Sequence, residues 1–75
     1  MREEYNLSIQ ETLCQVYDAL AAKGYQPIDQ IIGFLRTDDP TYITPSRDAR
    51  RKITRFDSFE IMAEVLKEYF RQQGR

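Results

Sequence analysis

Four positions in this sequence are built to start a helix, and no stretch alternates apolar and polar residues for long enough to argue a strand. Ser8-Ile9-Gln10-Glu11 is a capping box: the Ser8 hydroxyl can accept from the Glu11 N–H while the Glu11 carboxylate reaches back to the Ser8 N–H. Asp39-Pro40 and Thr44-Pro45 each put a capping side chain ahead of a proline, whose missing N–H is not needed in a first helical turn. Asp57-Ser58-Phe59-Glu60 repeats the capping box with Asp at the cap. With Pro27 as a further first-turn proline, this punctuation divides the chain into short helices. The predicted fold is all-α, a small compact bundle of about four to five short helices.

The apolar spacing fills in the segments. Ile9, Leu13, Val16, Tyr17 and Leu20 share one face of a helix predicted over about residues 8–23, closed by Gly24 at a position that favours left-handed backbone. Ile28, Ile31, Ile32 and Leu35 form the expected buried stripe of a second helix, starting at Pro27. Gly33 inside it costs about 1 kcal/mol relative to Ala, which implies either a close backbone crossing or an early helix end. Asp39-Pro40 predicts one turn through Tyr42 and Ile43, and Thr44-Pro45 predicts a basic helix over about residues 45–55. Its buried side is expected to be Ala49, Ile53 and Phe56. A last helix is expected over about residues 58–72.

That last helix is apolar over too much of its circumference. Phe59, Ile61, Met62, Ala63, Val65, Leu66, Tyr69 and Phe70 spread over more than half the wheel, whereas a surface helix needs a stripe of roughly 100°. Size points the same way. A chain of 75 residues builds a core worth about 3–5 kcal/mol and usually needs a disulfide, a metal or a second subunit besides. Cys14 is the only cysteine and there is no histidine, so a disulfide within the chain is excluded and a tetrahedral metal site has no ligand set. A homodimer is the remaining staple, with residues 1–75 as one helical domain.

The lone cysteine fits a reducing compartment, no apolar run approaches the roughly 20 residues of a membrane span, and MREEYNLSIQ lacks the apolar core of a signal peptide. The expected location is cytoplasmic, with no membrane insertion. Catalysis finds little to work with. Asp38 and Asp39 are explained as cap residues, Cys14 is expected to be a half-buried inert thiol with no basic neighbour, and the three glycines are too scattered for a phosphate-binding loop. A non-enzymatic protein without cofactors is expected.

The charge is uneven. Residues 1–46 hold three basic and seven acidic residues, residues 47–55 hold five basic and one acidic, and residues 56–75 hold three basic and four acidic. A basic island of net +4 thus interrupts an acidic chain whose net charge is −1. Arg47, Arg51 and Arg55 follow one another at four-residue spacing, which on one helix costs a few tenths of a kcal/mol per pair. With Arg50 they are the candidate partner-binding residues. The island can be a solvated face neutralised within a dimer, a protein-docking face, or the grip of a small nucleic-acid-binding regulator. The acidic chain and the lack of aromatics among residues 47–55 count against nucleic acid.

The order of motifs resembles one known family. Gly24-Tyr25-Gln26-Pro27-Ile28-Asp29-Gln30-Ile31-Ile32-Gly33-Phe34-Leu35 is similar to the GY-N-P-(I/V)-N-Q-(I/V)-(I/V)-G-(Y/F) segment of the IreB/ReoM family of small Gram-positive regulatory phosphoproteins. Asp39-Pro40-Thr41-Tyr42-Ile43 resembles its D-P-A-Y-(I/V), Asp48-Ala49-Arg50 with Ile53 its D-A-R-x-x-I, and Glu60-Ile61 with the aromatic end of the last helix completes the series. The resemblance implies a homodimeric, non-catalytic helical bundle under a PASTA-type Ser/Thr kinase and its phosphatase. It implies a role in peptidoglycan precursor synthesis and cell-wall antibiotic tolerance, exerted through protein contacts that include turnover of a wall enzyme. Arg50 matches an arginine of the family's working surface, and Arg47 stands displaced from another. The family's N-terminal tail with its phosphoacceptor threonine has no counterpart here: the first threonine is Thr12, inside the first helix. No phosphosite is assigned, and Thr37, Thr41, Thr44 and Ser46, near loops, are the remaining candidates.

Overall fold

A computed structural model describes residues 7–75. What is expected of the N-terminal tail falls on residues 1–6 and lies outside the described residues. The described chain is all-α, as the punctuation predicts. It comprises α1 (Ile9–Ala22), α2 (Pro27–Thr37), α3 (Ala49–Ile53) and α4 (Ser58–Gln72), with 3₁₀ turns at Pro40–Tyr42 and Ser46–Asp48.

The caps form where the local sequence places them. Glu11 N–H donates to Ser8 Oγ at 3.1 Å, and Ser8 N–H donates to Glu11 Oε1 at 3.0 Å. At the other end of α1, Gly24 takes a φ of +84°, Gly24 N–H donates to Ala21 O and Tyr25 N–H to Leu20 O. These two bonds make a Schellman cap, which needs the left-handed residue that glycine supplies without strain. Asp57 N–H donates to Glu60 Oε1 at 3.0 Å and opens α4. Asp39 Oδ1 accepts from Thr41 N–H and holds the Pro40–Tyr42 turn.

The core gathers one side of each helix: Val16, Ala19 and Leu20 from α1, Phe34 from α2, Ala49 and Ile53 from α3, Ile61 from α4, and Ile43 from the connection. Thr12 is buried with them, and its hydroxyl makes no hydrogen bond among the described residues. Gly33 marks a close crossing rather than a helix end. The ring of Tyr42 lies over it, so that an added Cβ would fall 2.9 Å from Tyr42 Cζ and nearer still to two other ring carbons. Gln30 Nε2 donates to Tyr42 O at 2.8 Å and fixes the turn against α2. Asp38, left-handed at φ 58°, ends α2 and accepts a hydrogen bond from the Ser58 hydroxyl, which joins the end of α2 to the start of α4.

Two buried faces differ from the sequence reading. On α2, Phe34 and Gly33 are buried, while Ile28 is 62% and Ile32 47% exposed. The core side of α2 is therefore turned away from the apolar stripe read off its sequence, leaving only Ile31 and Leu35 in partial contact. On α1 the turn is smaller: Thr12, Val16 and Ala19 face inward, Tyr17 stays about half exposed, and Cys14 is exposed rather than half-buried. Each helix carries more apolar surface than this core can cover.

Candidate functional site

The basic island does not form the continuous helix expected over residues 45–55. The Thr44 hydroxyl accepts from Ser46 N–H at 3.2 Å, and Pro45 lies in helical space, but Arg47 and Asp48 both turn left-handed, at φ 57° and 59°. Only Ala49–Ile53 is α-helical. For an arginine such backbone costs about 1–2 kcal/mol, whereas an aspartate adopts it more readily. Burial of Ala49 and Ile53 on either side of the α3 turn offsets it. Because of the kink, the predicted row of Arg47, Arg51 and Arg55 does not run along one helix. Arg47 is itself one of the left-handed pair and Arg55 lies beyond Ile53, so the three do not share the single helix that their spacing implied.

The four candidate arginines differ in their settings. Arg50 is partly buried, and its Nε donates to Ile43 O at 2.9 Å, pinning α3 to the connection that leaves the Pro40–Tyr42 turn. Arg51 is exposed, 3.8 Å from Asp48 across one helical turn. Arg55 is exposed, with its guanidinium 5.4 Å from the centre of the Phe56 ring. Arg47 is exposed on the strained turn. Lys52, read in the sequence only as part of the charge count, donates from Nζ to Gln15 Oε1 at 2.7 Å and ties α3 to the flank of α1.

Asp39 adds an acid to this edge. Its Oδ1 accepts from the Thr41 hydroxyl at 2.7 Å as well as from the Thr41 N–H. The Thr41 hydroxyl, then the Thr41 N–H, hold the Asp39 carboxyl below its ordinary range, slight desolvation opposes them, and the charge of Arg50 lowers it further. Thr41→Val removes the first of these causes. The carboxyl of Asp39 is expected to titrate closer to its ordinary value in that variant, measured by carbon NMR across the acid range. The sign follows from linkage: a depressed folded-state value gives stability that is present above the unfolded value of about 3.9 and is lost as pH falls through the folded one. The Thr41→Val chain should lose less on acidification.

A second surface lies elsewhere. Leu13, Cys14, Tyr17 and Ile31 line a groove between α1 and α2; Ile9, Leu13, Cys14 and Val65 line one between α1 and α4; Leu35, Met62, Val65 and Leu66 line one between α2 and α4. Shared residues make these grooves one apolar face. Along α4, Phe59, Met62, Val65, Leu66, Tyr69 and Phe70 are all exposed, Phe59 at 71%. Gln15, where Lys52 attaches, and Tyr17 are two residues apart and so about 200° apart around α1. The basic edge and the apolar face therefore sit on opposite flanks of that helix.

A helical bundle this small, with a glycine crossed by the tyrosine of D-P-x-Y and an arginine from D-A-R pinned behind it, places the sequence motifs in mutual contact. The model of the family described as IreB regulatory phosphoprotein matches residues 1–71. The chain belongs to the IreB family. Its members are regulatory phosphoproteins, and the motifs of the IreB family shared here turn out to be structural joints as much as surface. Gly33 admits Tyr42, Asp39 caps the turn that presents it, and Arg50 clamps the carbonyl of Ile43. Among the described residues no group of His, Cys, Asp and Glu is arranged to hold a metal, and no helix is long and apolar enough to cross a membrane.

Proposed function

We propose that the chain is a non-enzymatic, cytoplasmic regulatory protein that docks onto protein partners through the basic edge of Arg47, Arg50, Arg51 and Arg55. Residues 1–75 act as a single domain in this reading, and two copies join through the apolar face of α1, α2 and α4. Membership of the IreB family supports a place between a PASTA-type Ser/Thr kinase with its phosphatase and the control of peptidoglycan precursor synthesis, with cell-wall antibiotic tolerance as the outcome. The observation that carries docking is the concentration of net +4 in residues 47–55 of an acidic chain, on an edge that α1 separates from the apolar face. Opposite charge on a partner would be steered to that edge and held in register there. Nucleic acid is not proposed: the continuous basic helix it called for is broken at Arg47 and Asp48.

Affinity capture with Arg47→Ala, Arg51→Ala and Arg50→Ala tests the docking edge. Partner recovery is expected to fall several-fold with Arg47→Ala and Arg51→Ala, both at exposed positions, and further with Arg50→Ala. Recovery unchanged in all three places docking elsewhere. Far-UV circular dichroism of the Arg50 variant is needed alongside, because its Nε bond to Ile43 O also holds the connection.

A further inference from the structure

The hydroxyl residues of the described chain differ sharply in accessibility. Thr12, Thr44 and Ser58 are buried. Ser8 caps α1. The Thr37 hydroxyl donates to Gly33 O and accepts from Asp39 N–H, and the Thr54 hydroxyl donates to Arg50 O at the end of α3, next to buried Ile53. Ser46 is half-buried beside the left-handed pair. Thr41 is the exception. It is exposed, lies outside any α-helix in an exposed run from residue 36 to residue 42, and its hydroxyl bonds the exposed carboxylate of Asp39 and no backbone group. Where the family motif reads D-P-A-Y, this chain has Thr41 in place of the alanine.

We propose that Thr41 is a phosphoacceptor, and that its phosphate switches off the Arg50 end of the docking edge. The second half rests on the docking reading; the first does not. An ATP-dependent Ser/Thr kinase would transfer the γ-phosphoryl group to Thr41 Oγ1: the hydroxyl proton leaves to the kinase's base, a P–O bond forms, and the bond to the departing ADP breaks. The hydroxyl that donated to Asp39 at 2.7 Å becomes a group of about −1.5 to −2 charge facing a carboxylate. Asp39 must swing off the turn, and the cap it gave to Thr41 N–H is lost. The Arg50 charge already acts on this carboxylate, and Arg50 is fixed through Nε to Ile43 O, two residues after Thr41. Its remaining guanidinium donors suit a phosphate. Arg50 so engaged is withdrawn from a partner, and the net +4 of residues 47–55 is about halved in effect.

Trypsin should release residues 37–47 as one peptide, between Arg36 and Arg47. Fragmentation of that peptide from full chain isolated from its native cells is expected to place phosphate on Thr41. A peptide found only unmodified, or carrying phosphate on another of its hydroxyls, overturns the assignment. For the switch, full-length wild type, Thr41→Val and Thr41→Glu are titrated with polyglutamate at low salt. Equal binding by wild type and Thr41→Val, with about tenfold weaker binding by Thr41→Glu, is expected; equal binding by all three overturns the switch. Arg50→Ala in the same titration separates the two readings. If it binds polyglutamate as wild type does, the docking edge has failed, whereas a phosphate on Thr41 would still stand.

Discussion

Ile53→Ala is expected to leave the chain largely unfolded, with its far-UV circular dichroism lost and no cooperative thermal transition. Ile53 is 0% exposed and sits among Val16, Leu20, Ile43 and Ile61. Truncating such a side chain to Ala removes about 2–5 kcal/mol, the transfer free energy of the lost carbons plus the cavity they leave. A core of this size supplies only about 3–5 kcal/mol, so the loss is nearly the whole of it. The effect reaches function as well, because α3 is only five residues long and nothing but Ala49 and Ile53 inserts it into the core. Arg50 and Arg51 would lose the platform that presents them. Ile53→Val, which keeps the branch and removes one methyl, should cost about 0.5–1.5 kcal/mol and remain folded with a lowered melting temperature. An Ile53→Ala chain that melts where wild type melts would mean that α3 is not part of the cooperative unit.

Where the information was local, the sequence could be read directly. The reciprocal bonds of Ser8 with Glu11, the left-handed Gly24 and the turn held by Asp39 each involve residues within a few positions of one another, and their chemistry leaves few alternatives. The orientation of α2 was not legible. Ile28, Ile31, Ile32 and Leu35 do form an apolar stripe, but a wheel cannot tell a side that faces the core from a side that faces something else. Phe34 took the core position, and Ile28 with Ile32 were left outside. The basic segment failed for a different reason. Thr44-Pro45 has the look of a helix start, yet Thr44 uses its oxygen to close a turn on Ser46, and two left-handed residues follow. Asp tolerates that backbone and Arg does not advertise it, so only the tertiary demand of burying Ala49 and Ile53 explains the kink. The candidate arginines were found by charge count; that Arg50 is bound to Ile43 O depends on a contact seven residues apart and left no sign in the composition.

The apolar stripes left outside the core lead to the second large effect. Val65 lines both the α1–α4 and the α2–α4 grooves, at the centre of the face on which two copies are proposed to meet. In a lone chain it is 46% exposed, so Val65→Glu, which keeps a good helix former, should change monomer stability by no more than about 0.5 kcal/mol. In a two-fold dimer the same change places an unpaired carboxylate in each half of an apolar interface. Glu64 and Glu68 line the α1–α4 groove beside it and add repulsion rather than a partner. An uncompensated buried charge costs about 3–5 kcal/mol, and each 1.4 kcal/mol is tenfold in affinity, so dimer dissociation should rise by more than about a hundredfold. Sedimentation at micromolar concentration is the measurement, with Lys67→Glu on the exposed polar side of α4 as the control that should sediment as wild type. If the chain owes part of its stability to the second copy, its melting temperature also rises with concentration in wild type and not in Val65→Glu. Wild type that sediments as a monomer removes the second copy as the occupant of this face. A Val65→Glu chain that still dimerises moves the interface to another surface and leaves the exposed Phe59, Leu66 and Phe70 in need of a different cover.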